Sequence, residues 1–137
     1  LAPKPNTKTT PRSVALVLLA AGKGRRMKSE LPKVLHRLAG RPALWHVTQA
    51  GLAARPRRVA FVTSYRAEDV EAEVERWHLR PEVVFVDQGK PLGTGHAVAA
   101  AEEATAGTTD VLVMAGDDPL IRPEDVRELL KVHRRTR

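Results

Sequence analysis

Apolar residues gather in four short runs, separated by segments with helical spacing. Val14–Ala20 is uninterrupted and predicts a strand buried on both faces. Val59–Thr63, Val83–Val86 and Val111–Met114 are shorter and rich in valine, and predict three further strands. Gly40-Arg41-Pro42 reads as a turn that sets Pro42 at a helix start, and Leu44, Val47 and Gly51 then recur at helical spacing. Ala67, Val70, Val74 and Trp77 mark one face of a second helix; Glu68, Asp69, Glu71, Glu73 and Glu75 give it a solvated opposite face. An alanine-rich helix is expected from about His96 to Ala104, after the glycine loop QGKPLGTGH. The last helix starts at Pro123, carries Glu124 and Asp125 in its first turn, and is expected to bury Val126, Leu129, Leu130 and His133.

Regular alternation of strand and helix predicts a Rossmann-like open, mostly parallel α/β sheet with helices on both faces. Right-handed crossovers in such a sheet bring the first and fourth strands side by side. A ligand then binds beyond their carboxyl ends, so the loop after Ala20 and the loop after Ala115 are expected to face one another. Residues 1–13 hold three prolines, three basic residues and little to bury, and read as a disordered leader to a unit spanning 14–137. The leader and the apolar run together imitate a short signal peptide. The strand reading is preferred because the run feeds directly into a glycine loop.

Composition narrows the ligand. The chain has 137 residues, enough for one domain with a real core, and a formal charge of +7, which favours acidic partners: nucleotide, nucleic acid or anionic lipid. Aromatic residues make up only 4%, which counts against a nucleic-acid surface built on base stacking. The longest apolar run is too short to span a bilayer, so no membrane partner is expected. There is no cysteine, hence no disulfide framework or thiolate metal site, in keeping with a reducing, cytoplasmic setting. The five histidines share no zinc-ligand spacing, and Trp45 and Trp77 read as core.

The charge is concentrated. Lys23, Arg25, Arg26, Lys28, Lys33 and Arg37 surround Gly22 and Gly24 directly behind the first strand. Small residues in Ala20-Ala21-Gly22-Lys23-Gly24 let backbone N–H groups approach an anion, and the basic side chains neutralise it. The pattern lacks the Gly-Lys-Ser/Thr ending of a P-loop, and Met27 stands where a dinucleotide fingerprint has its third glycine. The second loop, Ala115-Gly116-Asp117-Asp118-Pro119-Leu120, puts a carboxylate just past a buried strand. Asp117 there suits Mg²⁺, or the two aspartates simply open a turn before Pro119.

Together LAAGKGRRM, LPKVLHRLAGRP, GTGHAV and a strand ending in AGDDPL resemble the sugar-nucleotide pyrophosphorylases. The closest resemblance is to the uridylyltransferase domain of the bifunctional N-acetylglucosamine-1-phosphate uridylyltransferase/acetyltransferases, from about Val14 to the end. The first motif is shared by many nucleotidyltransferases; PKVLHxLAGxP combined with GTGHAV is far more specific.

The resemblance implies a fold of the nucleotide-diphospho-sugar transferase type. It also implies Mg²⁺-dependent transfer of UMP from UTP to N-acetylglucosamine 1-phosphate, a step toward peptidoglycan precursors. By the family pattern Leu19, Ala20, Ala21 and Gly22 line the nucleotide, with Gly24 in the same loop. Lys23 and Arg26 handle the triphosphate, and Lys33 contacts the reacting phosphates. Gln88, Gly93 and Thr94 read uracil, and Ala115 and Gly116 lead to the metal-binding Asp117. Arg25, Pro91, Ala115 and Asp118 depart from the usual residues. The family's catalytic domain continues past residue 137 into the sugar-binding part and a second metal ligand, so the chain is expected to be the nucleotide-binding half of a catalytic domain. Two other readings stay open: a molybdopterin-type guanylyltransferase, and a truncated domain that binds nucleotide without turnover.

Overall fold

The computed structural model describes residues 11–136. Residues 1–10 of the expected leader lie outside the described residues. Ser13, at its end, exchanges hydrogen bonds with Thr109.

The chain begins with β1 (Val14–Leu19), whose apolar run is buried on both faces because it ends up inside the sheet. The short strands β2 (Arg37–Leu38) and β3 (Arg41–Pro42) form an antiparallel hairpin absent from the sequence expectation. Its two-residue turn is left-handed at both Ala39 (φ 49°) and Gly40 (φ 78°), the backbone pattern that matches the twist of a tight hairpin. The hairpin leads into α1 (Ala43–Gly51), with Pro42 one step ahead of the helix.

There follow β4 (Arg58–Thr63), α2 (Ala67–Glu75), β5 (Glu82–Asp87), α3 (Thr94–Ala100), α4 (Glu102–Thr105), β6 (Asp110–Ala115) and α5 (Pro123–Arg135). The expected alanine-rich helix is thus two, divided where Ala101 leaves the helical path (φ −87°, ψ 5°).

The sheet order is β5-β4-β1-β6 with every pair parallel, so the first and fourth long strands do lie side by side. The register sets Leu19 level with Ala115 on one side and Val62 on the other. On one face Leu16, Leu18, Phe61, Leu112 and Met114 pack with Leu44 and Val47 of α1, Val70 and Val74 of α2 and Val126 of α5. On the other, Val17, Ala60 and Val62 meet Ala97, Ala101 and Ala104, small residues that bring the helices close to the strands. The chain moves outward from β1 to β4 and β5, then crosses the opposite face to β6. That reversal makes the switch point between β1 and β6.

Two expectations for α5 are corrected. Leu129 is 57% exposed and His133 is not in the apolar stripe; its Nε2 lies 3.3 Å from the buried Asp110 carboxylate. The helix flanks α1 and the turn Leu52–Ala54 at the margin of its layer, so Val126 and Leu130 suffice to fill the contact. β6 alternates instead of being buried throughout: Val111 and Val113 are exposed because this strand forms a sheet edge among the described residues.

Candidate active site

At the carboxyl ends of β1 and β6 the chain leaves a crevice of about 380 Å³. Leu19, Ala21, Gly22 and Gly24 form one wall, Ala115 and Asp117 another, and Gln88, Gly93 and Thr94 a third. The two loops expected to oppose each other therefore do so, and the glycine loop after β5 joins them. Lys33 and Val34, in the short 3-10 turn Lys33–Leu35, project from the first loop's far side. The Lys33 side chain reaches across: its Nζ lies 2.6 Å from Asp117 Oδ2.

Backbone geometry places these groups. Gly116 N donates to Leu19 O (2.9 Å), tying the second loop to the end of β1. A Cβ at Gly116 would sit 2.7 Å from that carbonyl oxygen, closer than atoms can pack. Gly24 has φ +67°, and a Cβ there would lie 2.6 Å from Lys33 Cβ. The absent side chain leaves space for the lysine stem.

Gln88 is buried at the end of β5, held by its N–H to Thr63 O (2.9 Å). Its Nε2 donates to Gly93 O (3.2 Å) and lies 3.2 Å from His96 Nδ1, closing this glycine loop on itself. Gly89 N donates to Asp87 Oδ1 (2.8 Å), a turn that redirects the chain after the strand.

Of the residues singled out from sequence, Ala20, Lys23, Arg26 and Gly116 do not line the crevice. Ala20 is buried, its N–H bonded to Val62 O, and Gly116 is buried behind Asp117. Lys23 lies over the Tyr65 ring, Nζ 5.0 Å from the centroid, and Arg26 is exposed in the 3-10 turn Arg25–Met27. Val34, Pro91 and Ala97 line the crevice without having been singled out for it. The first and last are apolar residues whose only signal was hydrophobicity.

No group of three or more His, Cys, Asp or Glu side chains converges among the described residues. The donor set still fits a hard cation: Mg²⁺ takes one or two protein carboxylates and completes its shell with substrate phosphate and water. Asp117 on the crevice wall supplies such a carboxylate. No helix among the described residues is long and apolar enough to cross a membrane.

Fold and crevice define the class: an open parallel α/β domain of the nucleotide-diphospho-sugar transferase type, with a basic glycine loop at its switch point. Residues 16–137 match the MobA-like NTP transferase domain, and the chain belongs to that family of nucleotidyltransferases.

It is similar to the bifunctional protein GlmU of Dinoroseobacter shibae, at 54% identity over 112 residues covering 81% of this chain and 24% of that protein. The likeness is to the N-terminal part of GlmU, and the chain spans about a quarter of the length of the curated relatives it matches. Among solved structures, a UDP-glucose pyrophosphorylase complexed with UDP-glucose superposes with a TM-score of 0.76 at 17% identity, covering 90% of this chain and 54% of that one. HddC from Yersinia pseudotuberculosis, complexed with GMP-PN, gives 0.71 at 25% identity, covering 86% and 53%.

Proposed function

We propose that the chain is the nucleotide-binding half of a uridylyltransferase, which transfers UMP from UTP to N-acetylglucosamine 1-phosphate and releases pyrophosphate. The observation that carries this reading is the Lys33–Asp117 pair across the crevice, with the Gln88 loop closing one side. A cation for phosphate, a carboxylate for metal and an amide for a base stand around one cavity.

The chemistry asks little of the protein beyond position and charge. A phosphate oxygen of the sugar phosphate attacks the α-phosphorus of UTP, and the bond to the departing pyrophosphate breaks. The attacking oxygen is already anionic, so no strong base is needed. Lys33 is suited to stabilise charge on the reacting phosphates, and Arg26 and Lys23, on the first loop outside the crevice wall, would help to gather the triphosphate. Leu19, Ala21, Gly22, Gly24 and Ala115 would border the nucleotide, with Ala20 and Gly116 buried behind them to fix the ends of the two loops. Asp117 would hold Mg²⁺, which would supply Lewis-acid neutralisation of the triphosphate when bound.

Base selection fits Gln88. With Nε2 committed to Gly93 O and His96, its Oε1 has no internal hydrogen bond among the described residues. That oxygen can accept from N3–H of uracil; cytosine carries no proton at N3, so two lone pairs would meet. An unpaired buried group of this kind costs about 1–3 kcal/mol. Gly93 and Thr94 complete the base loop. A reaction that consumes UTP belongs in the cytoplasm, where we expect the protein to work, toward precursors of peptidoglycan.

Calorimetric titration with UTP, CTP, GTP and ATP, each with Mg²⁺, tests the reading. A preference for UTP of tenfold or more, about 1.4 kcal/mol, is expected. HddC's complex with a guanine nucleotide analogue favours a second reading, a guanylyltransferase on the same fold. Preference for GTP would select it.

A further inference from the structure

Three consecutive residues outside the crevice wall, Ser64, Tyr65 and Arg66, join β4 to α2 and touch both ligand loops. Ser64 Oγ donates to Gly89 O (2.9 Å), next to Gln88 in the base loop. Tyr65 Oη donates to Glu30 O (2.9 Å), and Arg66 Nη1 donates to the same carbonyl (3.2 Å). The Tyr65 ring also carries Lys23, with Nζ 5.0 Å from its centroid. One aromatic side chain thus holds the phosphate loop at two points seven residues apart.

The loop needs such a tether. Its 3-10 turn, Arg25–Met27, buries none of its residues, and Gly24 and Lys28 on either side of it both have positive φ. Segments with few buried contacts open easily unless polar bonds hold them. The tethering turn is itself held out of the ordinary backbone range: Arg66 has φ +48°, disfavoured for any residue with a Cβ, and its guanidinium also pairs with Asp69 in the first turn of α2. Such strain persists where the surroundings over-determine it.

We propose that Tyr65 is a positioning residue for triphosphate recognition: its hydroxyl fixes the far end of the phosphate loop and its ring fixes Lys23 beside the crevice. Ser64 does the corresponding work for the base loop, so the two halves of a nucleotide are served by adjacent residues of one turn. This rests on the nucleotide-binding reading above, and it separates phosphate recognition from base recognition within the same site.

The test compares UTP with UMP, each with Mg²⁺, by calorimetry on the whole chain and its Tyr65→Phe and Tyr65→Leu variants. UMP engages the base loop and lacks the β- and γ-phosphates that the phosphate loop would hold. Tyr65→Leu is expected to narrow the UTP-over-UMP preference about ten- to thirtyfold, the combined scale of an exposed cation–π contact and one hydrogen bond. UMP affinity should stay within about twofold, and Tyr65→Phe, which keeps the ring, should lose less of the preference. Equal weakening of both nucleotides, or an unchanged preference, overturns the proposal. A second arm needs no ligand: amide exchange across residues 24–31 should quicken about fivefold in Tyr65→Leu, for a hydrogen bond of net ~1 kcal/mol. Unchanged exchange overturns the tether. Absent nucleotide binding by the wild-type chain would instead remove the functional reading, while the exchange arm still decides the tether.

Discussion

Lys33 Nζ lies 2.6 Å from Asp117 Oδ2, so a lysine following β1 and a carboxylate following β6 meet across the crevice. Their side chains remain 42% and 38% exposed, which limits the pair to about 0–1 kcal/mol of stability. Hydrogen bonds to charged groups are worth about 1.5–3 kcal/mol, so a phosphate can readily take the lysine from the carboxylate. Lys33→Ala is accordingly expected to cost less than about 1 kcal/mol of stability and to lower UTP affinity at least about tenfold, the loss of one such bond. Urea denaturation run beside calorimetry checks both. A loss of several kcal/mol in folding would give the pair a structural role instead.

Asp117→Asn keeps the shape of the side chain and removes its charge. UTP affinity of this variant in Mg²⁺ is expected to fall to what the wild-type chain shows in EDTA. A variant still sensitive to EDTA would place the cation elsewhere, with Asp118 the nearest carboxylate in the chain.

Gly24 and Gly22 share one loop yet should respond differently to alanine. At Gly24 a Cβ meets the Lys33 stem at 2.6 Å, and φ is +67°; at Gly22 a Cβ meets nothing within 4 Å. Gly24→Ala is expected to cost about 1–2 kcal/mol for the left-handed backbone alone and to displace Lys33, weakening triphosphate binding. Gly22→Ala should leave the folding midpoint close to wild type. Equal thermal midpoints for the two variants would contradict the steric account.

The first turn of α5 should respond to acid. Asp125 accepts hydrogen bonds from the Arg122 guanidinium and from Arg122 N, and these hold its pKa below the ordinary carboxylate value. Its folded pKa is lower than its unfolded one, so the stabilisation is fully present above the unfolded value near 4 and is lost as pH falls through the folded value. Helicity at the start of α5 should drop over that range in the wild-type chain. Asp125→Asn should already lack the contribution at neutral pH and show no matching acid step by circular dichroism or NMR.

Much of the fold was legible because a parallel sheet leaves a direct trace. Val14–Ala20 is apolar throughout because a central strand is covered on both faces, and the helices between strands show their buried stripes at 3.6-residue spacing. The hairpin at Arg37–Pro42 was missed because two-residue strands carry no periodicity, and its left-handed Ala39 breaks the usual preference for glycine. In the site, small residues and charges in the two loops were visible as sequence. Val34 and Ala97 were not, since an apolar side chain on a crevice wall reads the same as one in the core.

The sequence by itself determined the order of the four long strands and the helical segments between them, the basic glycine loop and the carboxylate that would oppose it. These follow from local patterns, in which each residue's chemistry and spacing carry the information. Only the tertiary structure decided which residues meet. Lys33 and Asp117 are 84 positions apart, and their contact exists because the chain crosses to the opposite face after β5 and lays β6 beside β1. The same placement left β6 at an edge, exposing Val111 and Val113. It also set Lys23 against Tyr65 instead of in the crevice. Side chains of identical local pattern were sorted into core, edge and site by what the fold placed next to them, which no window along the chain contains.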